Sequence, residues 1–218
     1  MLDLSKDGEI YIVTMNNQAN MICLDWQQRM LAILDQLEHQ PHEDAAMVMI
    51  GVEKFFSNGL NLEVLNKLDQ AGWNQFARQM GEIHRRLLML PFPTVAAVNG
   101  HAFAGGAFIA LSCDYRIMRE DRGWICISEV DAGVPLPQGM MEFLRLRLPP
   151  LTVRDAVLTG KRYTADEAIA AGFADGKASA DNLLADAKAL AATLACKESG
   201  IFNAIKQAHV APIVAALQ

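Results

Sequence analysis

The residues most suggestive of chemistry lie in a single stretch, TVAAVNGHAFAGGAFIALSCDYRIMREDRGWICISE, running from Thr94 to Glu129. A glycine-rich turn (Gly100 to Gly106) links an apolar strand-like run (94–98) to an apolar helix-like run (107–112). Backbone N–H groups at the head of a buried helix can hold a developing negative charge. Glu129 closes the stretch as a lone acid among Trp124, Ile125, Cys126, Ile127 and Val130. A carboxylate in apolar surroundings can carry a proton, whereas most Glu side chains simply face water. An amide donor together with a proton carrier suggests chemistry at the carbon beside a carbonyl.

A second loop, FSNGLNL (Phe56 to Leu62), also places glycine where backbone must pass close to something. Taken singly, either loop reads more simply as a tight turn or a close helix crossing; the two together point to a site. Neither is a phosphate loop, since there is no GxxxxGK[ST] and no GxGxxG opening a helix.

The surrounding pattern supplies elements to position these loops. Glu9 to Met15 (EIYIVTM) after Asp7-Gly8 predicts the second arm of a hairpin, and Ala46 to Gly51 predicts a strand buried on both faces. A helix is predicted from Asp25, as its cap, to about His39, with Trp26, Met30, Ile33, Leu34 and Leu37 inward. Another runs from Trp73 to Leu90 with Phe76, Met80, Ile83, Leu87 and Leu90 inward, leaving His84, Arg85 and Arg86 as a solvated basic face. Helices follow around Met140 to Leu148, after the Thr164/Glu167 capping box, and over Asp181 to Lys197. Strand, loop and helix in alternation argue for an α/β fold. The Pro149-Pro150 pair divides a catalytic core (1–150) from a helical C-terminal region (151–218) that packs on the core or on a neighbouring subunit.

Composition narrows the class. The formal charge of −6, from 19 basic and 25 acidic residues, gives no general attraction for nucleic acid or anionic membrane. Four scattered cysteines without a CxxC or Cys/His cluster read as reduced thiols, with no zinc site. Leu87 to Cys113 holds no charged residue and exceeds the roughly 20 residues of a spanning helix, but Pro91, Pro93, Gly100, Gly105 and Gly106 would break such a helix repeatedly. The expectation is a cytoplasmic protein without a membrane segment or leader peptide.

FSNGLNL, AAVNGHAFAGGAFIALSCD, SEVDAGVPLP and KRYTADEAIAAGFAD, in that order, resemble the successive motifs of the crotonase, or enoyl-CoA hydratase/isomerase, superfamily. The resemblance covers about Glu9 to Lys206 and implies the ClpP/crotonase fold, a homotrimer or dimer of trimers, and an acyl-CoA substrate with no separate cofactor. It places the two oxyanion amides on Asn58 and Gly105 and the acid/base on Glu129, with Asp131 in a supporting role at most. Lys54, Leu60, Leu62, Gly106 and Phe108 would contact substrate, Lys54 and Lys206 being the nearest charges for CoA phosphates. Helix residues 62 to 80 would wall the acyl tail.

Family hydratases carry a second glutamate where this chain has Phe108. One carboxylate suffices to move a proton from C2 to C4, so the resemblance is strongest to a Δ3,Δ2-enoyl-CoA isomerase of fatty-acid β-oxidation. Hydration, decarboxylation or thioester hydrolysis at the same site, or an acyl-CoA-binding homologue without turnover, are the alternatives.

Overall fold

A computed structural model describes residues 2–39 and 43–217. In chain order the elements are β1 (Leu2–Asp7), β2 (Ile10–Met15), α1 (Leu24–Glu38), β3 (Ala46–Ile50), β4 (Phe55–Ser57), α2 (Leu62–Leu65), α3 (Gln70–Met89), β5 (Thr94–Val98), β6 (His101–Phe103), α4 (Gly105–Ser112), β7 (Tyr115–Arg119), β8 (Ile125–Cys126), α5 (Glu129–Ala132), α6 (Gln138–Arg147), α7 (Pro150–Thr159), α8 (Ala165–Ala171), β9 (Gly176–Ala178), α9 (Leu183–Ala195) and α10 (Ser199–Ala216).

The expected hairpin forms, with Leu2 opposite Met15. Its second arm opens a six-stranded sheet of order β1-β2-β3-β5-β7-β9, parallel in every pair after the first. One face packs on α9, whose Leu183, Ala187 and Ala191 meet Val48, Val95 and Ala97. The other face belongs to the main core, built with Met47, Met49, Ala96 and Val98 against α1, α3 and α4. Strands covered on both sides read as unbroken apolar runs, which is why AMVMI and TVAAV were recognisable.

Three details differ from expectation. α1 is capped at Cys23, with no side-chain cap bond, so Asp25 lies inside the helix rather than at its cap. α3 begins earlier than Trp73, because the Asp69 carboxylate accepts from Gly72 N–H and fixes the first turn. Residues 151–218 are not wholly helical, since β9 joins the main sheet beside β7.

The element that organises the site is the small second sheet, β4-β6-β8, parallel throughout. Phe55 and Ser57 pair with His101 and Ala102, and Ala102 and Phe103 pair with Ile125 and Cys126. Parallel strands leave a sheet from one end, so residues 58–60, 104–105 and 127–129 all emerge side by side.

Among the described residues no helix is long and apolar enough to cross a membrane. Leu87 to Cys113 is divided among α3, β5, β6 and α4.

Candidate active site

The three segments leaving the small sheet border a cavity of about 600 Å³. Leu60, Gly105 and Phe108, and Glu129 come from its first, second and third strands respectively. α3 supplies Trp73, Phe76, Ala77, Met80, Gly81 and His84, a stripe that at 1.5 Å per residue spans about 16 Å. Val134 to Pro137, Gly139 and Met140 close another side, and Ala216 with Leu217, at the end of α10, complete the lining.

Backbone contacts bring the two loops together. A Cβ on Gly105 would lie 3.4 Å from Leu60 Cδ2 and 3.7 Å from the Gly59 Cα, so α4 begins directly against the first loop. A Cβ on Gly106 would collide with the Ser57 carbonyl, which is why that position holds glycine. Ala104 stands at φ 48°, a left-handed conformation that a side chain adopts only under constraint, and it turns the chain into α4. Gly105 occupies the first helical position, where an amide has no partner within the helix.

The other expected donor is displaced. Asn58 N–H is committed to the Ala19 carbonyl at 2.9 Å, and its residue is exposed. Gly59 N–H donates to Ser57 Oγ at 3.2 Å. Leu60 forms a parallel bridge with Ile22 in which Ile22 N–H donates to the Gly59 carbonyl and Asn61 N–H to the Ile22 carbonyl. The Leu60 amide therefore points away from Ile22, has no protein acceptor among the described residues, and belongs to a residue on the cavity wall. The free amide lies two residues later than the motif match suggested. The polar stretch NNQAN is the brace for this loop: Asn20 Nδ2 donates to the Phe55 carbonyl and Ser57 Oγ donates to the Asn20 carbonyl.

Glu129 opens α5 on the cavity wall, and Oε2 is sealed without a hydrogen-bond partner. Burial pushes its carboxyl up to about 7, opposed in part by a hydrogen bond from its own backbone N–H. Asp131 is exposed on the far side of this turn, beside Gly160. Strand alternation would have set both acids on one face, but a helical turn rotates residues two apart by roughly 200°. Trp124 and Val130 are also more exposed than an all-buried segment would have them.

Phe108 lines the cavity and packs edge-on against Phe143, ring centroids 5.7 Å apart, and against His84 at 6.3 Å. His84 is the main surprise of α3: it is 1% exposed, not solvated, while Arg85 and Arg86 are half-buried and Arg86 pairs with Asp35 and Glu38 at 2.7 Å each. His84 Nδ1 lies 2.9 Å from Ser112 Oγ, and burial lowers the imidazole to about 4. The helical spacing Phe76, Met80, His84 was the available signal for its inward position.

Four other sequence candidates lie elsewhere. Lys54 is exposed and Leu62 caps no part of the cavity, nor does Gly106, whose role is the close crossing with Ser57. Lys206 is buried, its ammonium held by Asp114 at 2.6 Å and by the Phe92 carbonyl at 2.9 Å, which removes it from phosphate binding. Of the helix residues 62 to 80, Trp73, Phe76, Ala77 and Met80 reach the cavity. No cluster of three metal-ligating side chains occurs among the described residues, and the four cysteines are free thiols.

The family model for enoyl-CoA hydratase/isomerase matches residues 5–218. Enoyl-CoA delta isomerase 3 of Arabidopsis thaliana is 32% identical over 205 residues, 91% of this chain and 86% of its own. Carnitinyl-CoA dehydratase of Salmonella arizonae is 32% identical over 194 residues, 88% and 74% of the two chains. The apo structure of an enoyl-CoA isomerase from Mycobacterium tuberculosis superimposes with a TM-score of 0.91 at 27% identity, covering 99% of this chain and 93% of that one. With the small sheet, the glycine-lined loops and these matches all in agreement, the chain belongs to the enoyl-CoA hydratase/isomerase family.

Proposed function

We propose that the protein is a Δ3,Δ2-enoyl-CoA isomerase with Glu129 as its single acid/base. The observation that carries this reading is that, among the described residues, Glu129 is the one side-chain carboxyl on the cavity wall, raised to about 7, while the first turn of α4 presents Phe108 to the same cavity. The thioester oxygen of a 3-enoyl-CoA sits between Leu60 N–H and Gly105 N–H. Ionised Glu129 takes the C2 proton, and charge spreads through the dienolate onto that oxygen. The C2–C3 double bond forms as the resulting carboxylic acid returns the proton to C4. A carboxyl with its pKa near neutrality serves both halves of this shuttle. Each amide donor contributes on the order of 3 kcal/mol to the transition state.

Similarity to a dehydratase raises water addition as the second reading. That reaction needs a second group to protonate the α-carbon while the first takes a proton from water, and among the described residues the other titratable side chain on the wall is His84. An imidazole lowered to about 4 is neutral and cannot serve as the acid at pH 7. Incubation with 3-enoyl-CoA and with 2-enoyl-CoA separates the two. Fast isomerisation of the first and slow hydration of the second is expected, and rapid hydration of the second overturns the isomerase reading.

A further inference from the structure

His84 brings a polar atom into an otherwise apolar part of the cavity, and the one-base reaction leaves it unused. Its ring is held at one nitrogen only. Ser112 Oγ lies 2.9 Å from the Phe108 carbonyl and 2.9 Å from His84 Nδ1. The carbonyl can only accept, so the single hydroxyl proton of Ser112 goes to it. Ser112 Oγ must then accept from His84, which fixes the proton on Nδ1 and leaves a lone pair on Nε2.

Nε2 has no protein partner among the described residues. Among the described residues, the sealed side-chain atoms that lack a partner are Trp26 Nε1, Gln27 Oε1, Arg85 Nε, His101 Nδ1, Glu129 Oε2 and Arg147 Nε. His84 Nε2 is not among them, so it opens onto the cavity that His84 lines. Burial keeps the ring neutral, consistent with an acceptor rather than a charge.

We propose that His84 Nε2 accepts a hydrogen bond from a hydroxyl on the acyl chain, making the protein selective for hydroxylated acyl-CoA thioesters over plain ones. The proposal rests on the acyl-CoA reading of the cavity. A hydroxyl fits better than a bound water because a trapped water needs two to four polar partners. The ring's neighbours here are Phe108 and Phe143, with Met80 and Gly81 on the same cavity stripe, and their side chains offer none. A hydroxyl carried in by a buried chain needs one acceptor.

Calorimetric titration tests this without turnover. Saturated acyl-CoA of one length, and the same thioester bearing a single hydroxyl at successive carbons from C5 outward, are titrated into the wild type, His84→Phe and Ser112→Ala. In the wild type, one hydroxyl position is expected to bind about three- to tenfold tighter than the parent, the gain of one net hydrogen bond. His84→Phe loses that preference while still binding the parent. Ser112→Ala releases the tautomer, so the matching keto thioester gains on the hydroxy one, which a merely structural Ser112 would not produce. If His84→Phe does not fold, the Ser112→Ala comparison decides. The proposal is overturned if no hydroxylated thioester binds the wild type more tightly than the parent, or if the preference survives in His84→Phe. Failure of any acyl-CoA to bind removes the acyl-CoA reading with it, whereas an inactive isomerase that still shows the preference removes only the proposed reaction.

Discussion

Glu129 has a carboxyl at about 7 because burial disfavours its charged form, and that has a measurable thermodynamic consequence. Its ordinary value is 4.5, so between 4.5 and about 7 the folded protein binds more protons than the unfolded chain. The stabilisation is fully present below 4.5 and is lost as pH rises through 7. Glu129→Gln removes the titration. At pH 8 the variant should be more stable than wild type by about 2 kcal/mol, the difference vanishing near pH 4, as read from denaturant midpoints. The same variant should lose roughly 100-fold or more in isomerisation rate. The acid was legible because its apolar neighbours stand beside it in sequence. The matching donor was not: Asn58 and Leu60 share one loop, and which of their amides is free depends on Ala19 and Ile22, some forty residues away by the numbering.

The small parallel sheet is the element that gathers the site, and it left no trace in the periodicity. Its strands are three, three and two residues long, too short for alternation to register against the turns that flank them. The six-stranded sheet was readable for the opposite reason, as continuous apolar runs. Between the two, Gly106 holds α4 against β4, and the collision that a Cβ would make with the Ser57 carbonyl sets a prediction. Gly106→Ala should push the first loop off α4 and separate the Leu60 and Gly105 amides. Loss of one donor's contribution, on the order of 100-fold in kcat, is expected with the circular dichroism spectrum retained. An unchanged kcat would mean that the loop yields without moving Leu60.

At the scale of the molecule, α10 is fastened at its middle and at its C-terminal end. Lys206 is tied to Asp114, which also accepts from Thr94 N–H and Oγ1, locking the helix to the starts of β5 and β7. The sequence offered Lys206 as a phosphate ligand because a lysine near the C-terminus carries in its sequence no sign of its burial. Asp114→Ala leaves that ammonium buried without a counter-charge and should destabilise by about 3–5 kcal/mol, measured by urea unfolding. Lys206→Met should lower stability while leaving KM for acyl-CoA unchanged; a raised KM at unchanged stability would return the lysine to phosphate binding. The C-terminal end of α10 lies against two glycines, Gly81 of α3 and Gly139 of α6, where a Cβ on Gly139 would strike the Ala216 carbonyl. Because Ala216 and Leu217 are also cavity wall, a molecule in the cavity and the docked end of this helix favour one another. Occupancy of the site can thus be timed by the exchange of a single amide proton: Leu217 N–H, bonded to the Ile213 and Val214 carbonyls, should exchange about tenfold more slowly with ligand at ten times its Kd.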